Sequence, residues 1–465
     1  MLFNKKGILI LFCLCIKSLL KEVQSDEKLL FALEHFRHGA RGAYKSFNYN
    51  TWRDILNEEW KGAGELTPIG MRQHYLLGTS IRNKYKNFIS NEFDPNEIFV
   101  ISSDVNRTLI SAYSNLLGIF HNNNANINNK GFINNNNYSD IINDYLLNEK
   151  EQLQYMFPIH IYKGEDLRYQ LYRTEICPGF QKFIDKIAES EGMKQILKDV
   201  FEKTNNNFGR YLEKYIDQKI IDNKDYNGYF KVIKTICDTF IADYFDNRKI
   251  DDISKTGINL EEFNDHCLNV SLITAYYSYY GNPVEKSVEF GISPTFRDIF
   301  DYMDKRIELD KKNIPDKIIP SSPKFVIISG HDVSLAAFDL FFENKFNIKF
   351  ERADYANNQI FELWKKDGKY YFRYLINLET KGEFEYYDFK EKVLKDLYTD
   401  EEIRKICNVD KYVTFNQLYS NKIKMINIIV MAIVFALLFF LIFLKIKRKS
   451  SFNIIRYKII EMKNI

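Results

Sequence analysis

The chain has 465 residues and a formal net charge of +3, with 27% charged, 45% hydrophobic and 15% aromatic side chains. Those values exclude a disordered tail protein, a collagen-like fibre and a polytopic transporter, and so small a charge is no footprint of a nucleic-acid binder. About 400 residues are enough for a full core divided between two sub-domains.

The N-terminus starts basic and continues into GILILFCLCI, Gly7 to Ile16. With small residues near Val23-Gln24-Ser25, this pattern predicts a secretory signal peptide over 1–25. Three apolar runs read as buried strands: Leu29–Phe36, Ile98–Ser102 and Phe325–Ser329. Helical patterns lie between them, over Thr67–Tyr85 and Thr108–Phe120. The first has Pro68 at its start behind Thr67 as N-cap. His121–Asn137 is Asn-rich, buries no apolar area, and reads as a surface loop. From Cys177 to Pro283 the spacing is helical, and YYFRYLIN with GEFEYYDF reads as a late hairpin.

Strands alternating with helices predict an α/β fold with a mostly parallel sheet flanked by helices. The expected layout is an α/β catalytic domain over 26–175 and 285–415, with a smaller, mostly helical cap insert over 176–284. Met425–Leu444 contains one polar side chain, Asn427. Its 20 residues would span about 30 Å as a helix, which predicts one C-terminal transmembrane helix. Residues 445–465 would then be a basic cytoplasmic tail. Its Tyr457-Lys458-Ile459-Ile460 is similar to lysosomal sorting signals. The charge divides accordingly: +3 in residues 1–25, +6 in 445–465, and −6 in the remainder.

Outside the signal, four cysteines remain: Cys177, Cys237, Cys267 and Cys407. They permit two disulfides with three connectivities, and no CxxC pair reads as a metal or redox motif. Sequons stand at Asn106, Asn137 and Asn269. Glycosylation is expected at Asn137 and Asn269. It is not expected at Asn106, where a glycan would obstruct Arg107.

Each apolar strand runs straight into polar residues. The first gives Arg37-His38-Gly39-Ala40-Arg41, the second Ser103 to Thr108 with Arg107, and the third Gly330-His331-Asp332. In open α/β sheets, ligands bind outside the carboxyl ends of strands. If these strands are neighbours, three Arg, two His and one Asp converge there. Guanidinium forks match a phosphate dianion, an imidazole can attack phosphorus, and a carboxylic acid can protonate a departing alkoxide. Gly39 is expected to let backbone N–H groups approach the anion. The set suits phosphomonoester hydrolysis with no cofactor and no metal.

Arg37 to Arg41 resembles the RHGxR signature of the histidine acid phosphatases, and His331-Asp332 resembles that family's HD element. Leu66 to Gln73, followed by Leu77-Gly78, is similar to its LTPxGxxQ…LG helix. Ser102 to Thr108 with Ser111-Ala112 is similar to its STDxxRTxxSA stretch. The resemblance covers most of 29–410 in order. It implies a phosphoglycerate mutase-like fold, His38 as nucleophile, Asp332 as proton donor, and Arg37, Arg41, Arg107 and His331 as phosphate ligands. It also implies a disulfide between Cys177 and Cys407, and with it one between Cys237 and Cys267. Where the family often has Pro two residues after the second signature Arg, this chain has Gly42-Ala43.

The signal and the C-terminal span further resemble lysosomal, membrane-anchored members. The expectation is therefore a type I membrane acid phosphatase, lysosomal, endosomal or at the cell surface, held in the lipid bilayer by one helix. Its expected substrates are phosphate monoesters, phosphoproteins among them, at acidic pH. The resemblance implies a homodimer, for which no interface is legible, and no nucleic-acid partner. A phytase-like inositol phosphate phosphatase and a non-enzymatic surface protein on the same scaffold are the alternatives. His35 and His74 read as packing residues, and His121, His160 and His266 as surface or core.

Overall fold

The structure, a computed structural model, describes residues 27–44, 63–120, 157–162, 174, 176–212, 215–246, 257–279, 286–314 and 322–408. The three apolar runs form β1 (Lys28–Arg37), β2 (Ile98–Ser102) and β4 (Phe325–Gly330), with a short β3 (His160–Ile161). Three further strands follow: β5 (Asn358–Lys366), β6 (Lys369–Ile376) and β7 (Glu379–Glu385). They make one seven-stranded sheet in the order β3-β2-β4-β1-β5-β6-β7. Pairing is parallel from β3 to β1 and antiparallel from β1 to β7. The expectation of a mostly parallel sheet is corrected by this: the sheet is mixed. Tight connections between β5, β6 and β7 leave no room for a crossover helix, so those strands run antiparallel.

Side chains of β1 alternate between two covered faces. Ala32 and Phe36 pack with Leu77 and Ile81 of α1 (Pro68–Lys84) and Leu116 of α2 (Asn106–Phe120). Phe31 stacks on Tyr302 of α8 (Ser287–Lys311), and His35 meets Phe338 of α9 (Asp332–Phe346) edge-on. A strand covered on both faces needs an unbroken apolar run, which Leu29–Phe36 supplies apart from Glu34 and His35. The chain thus leaves β1 towards one face and leaves the neighbouring β4 towards the other. That divergence opens a crevice at their carboxyl ends.

A helical layer occupies the middle of the chain: α3 (Phe180–Glu189), α4 (Glu191–Leu212), α5 (Gln218–Asp222), α6 (Tyr226–Phe245) and α7 (Leu260–Tyr279). It has its own apolar centre, built around Phe208, Tyr229, Phe240 and Phe263. A disulfide between Cys237 and Cys267 joins α6 to α7. A second, Cys177 to Cys407, ties the start of this layer to the end of α11 (Asp400–Cys407), which follows α10 (Tyr386–Leu394).

Among the described residues, no helix is long and apolar enough to cross a membrane. The longest, α8, carries charged residues throughout. The expected signal over 1–25, the span Met425–Leu444 and the tail 445–465 lie outside the described residues. The expectation of a transmembrane helix is corrected to what the described residues show, which is that none of their helices supports it. The single-pass type I topology, the bilayer as a partner, and the lysosomal, endosomal or cell-surface placement built on that anchor find no support there either.

Burial raises the pKa of two carboxyl groups, one on the sheet and one on a helix packed against it. Glu34 of β1 accepts from Asn358 Nδ2 at 2.8 Å, and burial pushes its pKa up to about 8. Asp339 of α9 accepts from the Tyr374 hydroxyl at 2.5 Å, and burial raises it to about 7. Below about pH 4 both are protonated whether the chain is folded or unfolded. Above that, the unfolded chain gains by ionising while the folded chain stays protonated. Stability therefore falls as pH rises towards 8. The Glu34→Gln variant should lose much of this dependence. Calorimetric melting should show the variant gaining on the parent between pH 5 and pH 7.5, by a few kcal/mol at most.

Candidate active site

Three parallel strands deliver the polar residues. After β1 come Arg37 to Arg41, after β2 come Ser103 to Arg107, and after β4 come His331 and Asp332 at the start of α9. The signature loop is braced from below by α1. Thr67 caps α1 by accepting from the Gly70 N–H, and its own hydroxyl donates to the Ala40 carbonyl at 3.2 Å. Gln73 Oε1 accepts from the Ala40 N–H at 2.8 Å, and Ser111 Oγ from the Gly39 N–H at 3.2 Å. The expected role of Gly39 is corrected here. Its N–H is spent on Ser111, and the missing side chain makes room for Gly70, whose carbonyl oxygen would lie 2.4 Å from a Cβ. The charged donors that face the crevice are therefore side chains.

His38 is 3% exposed, and its Nδ1 lies 2.9 Å from the Gly39 carbonyl oxygen. A carbonyl only accepts, so Nδ1 carries the proton and Nε2 carries the lone pair. Burial holds its pKa well below the ordinary value, helped by Arg107, Arg37, His331 and Arg41. Both effects favour the neutral imidazole of His38 over the charged one.

The guanidiniums are held in place by the backbone and by carboxylates. Arg37 donates to the Ala353 carbonyl at 2.8 Å and pairs with Asp332 at 2.9 Å, its guanidinium stacked on the Tyr355 ring. Arg41 donates to the Gly42 carbonyl at 2.9 Å and to Asp238 of α6 at 2.6 Å. Arg107 Nη2 lies 3.4 Å from His331 Nδ1. A guanidinium only donates, so His331 keeps its proton on Nε2, which lies 3.0 Å from Ser103 Oγ. Asp332 Oδ1 accepts from the Val333 N–H at 2.9 Å. Desolvation pushes the Asp332 carboxyl up, but Arg37, His331 and Arg41 outweigh it and hold its pKa below the usual carboxylate range.

These six residues line one cavity of about 390 Å³. Its opposite wall comes from α6 and α7, with Lys234, Asp238, Ile241, Phe245, Leu268 and Leu272. The Nε atoms of Arg37 and Arg41 are buried without a hydrogen-bond partner. Buried donors in that state call for an explanation, and an anion in the cavity supplies one.

A sequence profile of the histidine phosphatase superfamily (branch 2) matches residues 21–377, most of the chain. The chain belongs to that family. The class expected from its motifs, a histidine acid phosphatase family hydrolase, stands. The mouse (Mus musculus) prostatic acid phosphatase is 37% identical over 115 residues, 24% of this chain and 28% of that protein. The human (Homo sapiens) lysosomal acid phosphatase is 39% identical over 93 residues, 20% of this chain and 21% of that protein. The chain thus spans only about a quarter of the length of these relatives in the aligned stretch. Among solved structures, the Hafnia alvei phytase in complex with myo-inositol hexakis sulphate has a TM-score of 0.49 at 14% identity, covering 80% of this chain and 98% of that one.

In this member of the family, the remaining histidines support the loop or pack elsewhere. His74 Nε2 donates to the Arg37 carbonyl at 3.1 Å, and burial lowers its pKa to about 3. His35 Nε2 donates to Ser334 Oγ at 3.0 Å, and Ser334 in turn donates to the His331 carbonyl at 2.6 Å. His160 stacks on Phe99, and His266 is buried against Thr204 Oγ1 at 2.9 Å. His121 and Asn137 lie outside the described residues. Asn269 is exposed on α7. Asn106 is exposed at the start of α2 and donates to Glu65 at 3.2 Å.

Sequence reading missed four members of the site. Asp238, Tyr355 and Tyr44, whose ring lies 4.4 Å from the Arg41 guanidinium and 5.3 Å from that of Arg107, belong to no motif, and Ser103 stands only as part of one. Ser103, directly after β2, was the one the strand-end rule could have found.

Proposed function

We propose that this chain hydrolyses phosphate monoesters through a phosphohistidine at His38. The observation that carries this reading is a neutral His38 with its Nε2 lone pair inside a cavity lined by Arg37, Arg41 and Arg107. In the first step the Nε2–P bond forms as the P–O bond to the leaving group breaks. Asp332 gives its proton to the departing oxygen. Water then attacks phosphorus as the Nε2–P bond breaks and returns its electron pair to His38, Asp332 takes one of the water's protons, and orthophosphate leaves. The three guanidiniums and His331 hold the phosphoryl oxygens and meet the charge that builds on them.

The leaving group faces the wall from α6 and α7. Ile241, Phe245, Leu268 and Leu272 favour an apolar or aryl group there. Asp238 and Asp354 line the same cavity paired with Arg41 and Arg352, so the apolar wall, not a net negative charge, is what favours an aryl ester over an inositol polyphosphate. The purified chain should hydrolyse an aryl phosphate near pH 5 in the presence of EDTA, and do so faster than inositol hexakisphosphate. Strict dependence on added metal, or a preference for the hexakisphosphate, would overturn this reading.

A further inference from the structure

The six motif residues do not exhaust the cavity's chemistry. Tyr355 sits between α9 and β5, is 7% exposed, and lines the same cavity. Its ring lies 4.3 Å beneath the Arg37 guanidinium and 5.9 Å from the His38 ring. On the other side it meets Phe245 of α6 edge-on at 5.6 Å. Its backbone is held as well, since the next residue donates from its N–H to the His38 carbonyl at 3.2 Å. The ring is therefore fixed on three sides, against the nucleophile, a phosphate-facing arginine and the helical layer.

Its hydroxyl is buried and has no hydrogen-bond partner among the described residues. The ring's packing would be served equally by Phe. A buried hydroxyl left unpaired only costs stability unless something else takes its proton. The groups around it are Arg41, Arg37, Asp238 and Asp332, with which it interacts electrostatically. Arg37 and Arg41 line the same cavity, and their Nε donors are also without a partner among the described residues. An acceptor-rich ligand in that cavity would give such donors the partner they lack.

We propose that the Tyr355 hydroxyl is a further catalytic residue, donating a hydrogen bond to a non-bridging oxygen of the phosphoryl group in substrate, phosphohistidine and product. The inference rests on the phosphatase reading above and extends it to a residue outside the four motifs. Burial keeps the phenol protonated, against the pull of Arg41 and Arg37, so it can donate throughout the acidic and neutral range. The hydroxyl donates without changing its own charge. Its contribution should therefore not move the pH profile, unlike those of His38 and Asp332.

The test is the Tyr355→Phe variant, read three ways: kcat/KM on an aryl phosphate, inhibition by inorganic phosphate, and melting temperature. A hydrogen bond to a charged group predicts a fall in kcat/KM and a rise in the phosphate inhibition constant, each between about 10-fold and 100-fold. Melting temperature should hold or rise, because an unpaired buried hydroxyl is removed. Tyr355→Leu should lose the same activity and also melt lower, because the ring that supports Arg37 has gone. Unchanged phosphate inhibition in a fully active Tyr355→Phe protein would overturn the proposal and leave the phosphatase reading standing. A clear drop in melting temperature with no change in phosphate affinity would likewise assign Tyr355 to packing. A parent protein that neither hydrolyses the aryl ester nor binds phosphate would overturn the phosphatase reading itself.

Discussion

Replacing His38 with Ala should reduce aryl phosphate hydrolysis by about 10⁴-fold or more, the scale on which loss of a catalytic nucleophile acts. The same variant should trap no acid-labile phosphate when substrate turnover is quenched and the protein recovered. Inorganic phosphate should still inhibit or bind, because Arg37 and Arg41 are held by Ala353, Asp332, Gly42 and Asp238 rather than by the imidazole. That combination, binding kept and turnover lost, separates a nucleophile from a residue that shapes the pocket. The fold should survive, since the His38 backbone bonds to Gly330 and Ala356 do not involve the ring. Equal activity in His38→Ala, or phosphate trapped on another residue, would overturn the assignment. The pH dependence should carry a second signature. Burial and the arginines hold His38 below its ordinary pKa, so kcat/KM should not fall as pH drops through about 6.5.

The parts of the site that could be read from sequence are those delivered by the ends of apolar strands. A buried strand announces itself by composition, and the residues immediately after it inherit a position at the sheet's carboxyl edge. Arg37, His38, Arg41, His331 and Asp332 are legible for that reason, and Arg107 stands in the first turn of the helix that follows β2. Asp238 and Tyr355 are not legible. Each meets the signature loop across more than 190 residues of chain, and neither follows an apolar run. β5 was missed for the opposite reason. Asn358, Gln359 and Glu362 are polar yet buried, each with a partner: Glu34, the Leu335 carbonyl, and the Tyr85 hydroxyl with the Trp364 indole. Hydrophobic pattern cannot find a strand whose buried polar residues find partners only across the core. Gly39 lacks a side chain because Gly70 packs against it, a constraint that exists only once the signature loop and α1 are in contact.

Asp332→Asn should produce a loss that depends on the leaving group. With an alkyl phosphate, whose alkoxide is a poor leaving group, kcat should fall by about 10² to 10⁴, the usual worth of a positioned general acid. With an aryl phosphate bearing an electron-withdrawing substituent, little protonation is needed and the loss should be far smaller. Equal losses on both substrates would remove Asp332 from the proton-donor role. The free protein shows why such a donor works in acid. Paired with Arg37 at 2.9 Å and held below the usual carboxylate range, Asp332 is ionised before substrate arrives. A phosphate monoester loses its second proton near pH 6, so in acid it carries a proton into the site. Once the phosphoryl group engages Arg37, the carboxylate loses its cationic partner and gains an anionic neighbour. Both changes raise its affinity for that proton. The alkaline limb of kcat/KM should then follow the second pKa of the substrate, shifting when esters of different phosphate acidity are compared. A limb fixed at one pH for all esters would mean that Asp332 draws its proton from solvent, with a free-protein pKa far above the range its arginine neighbours dictate.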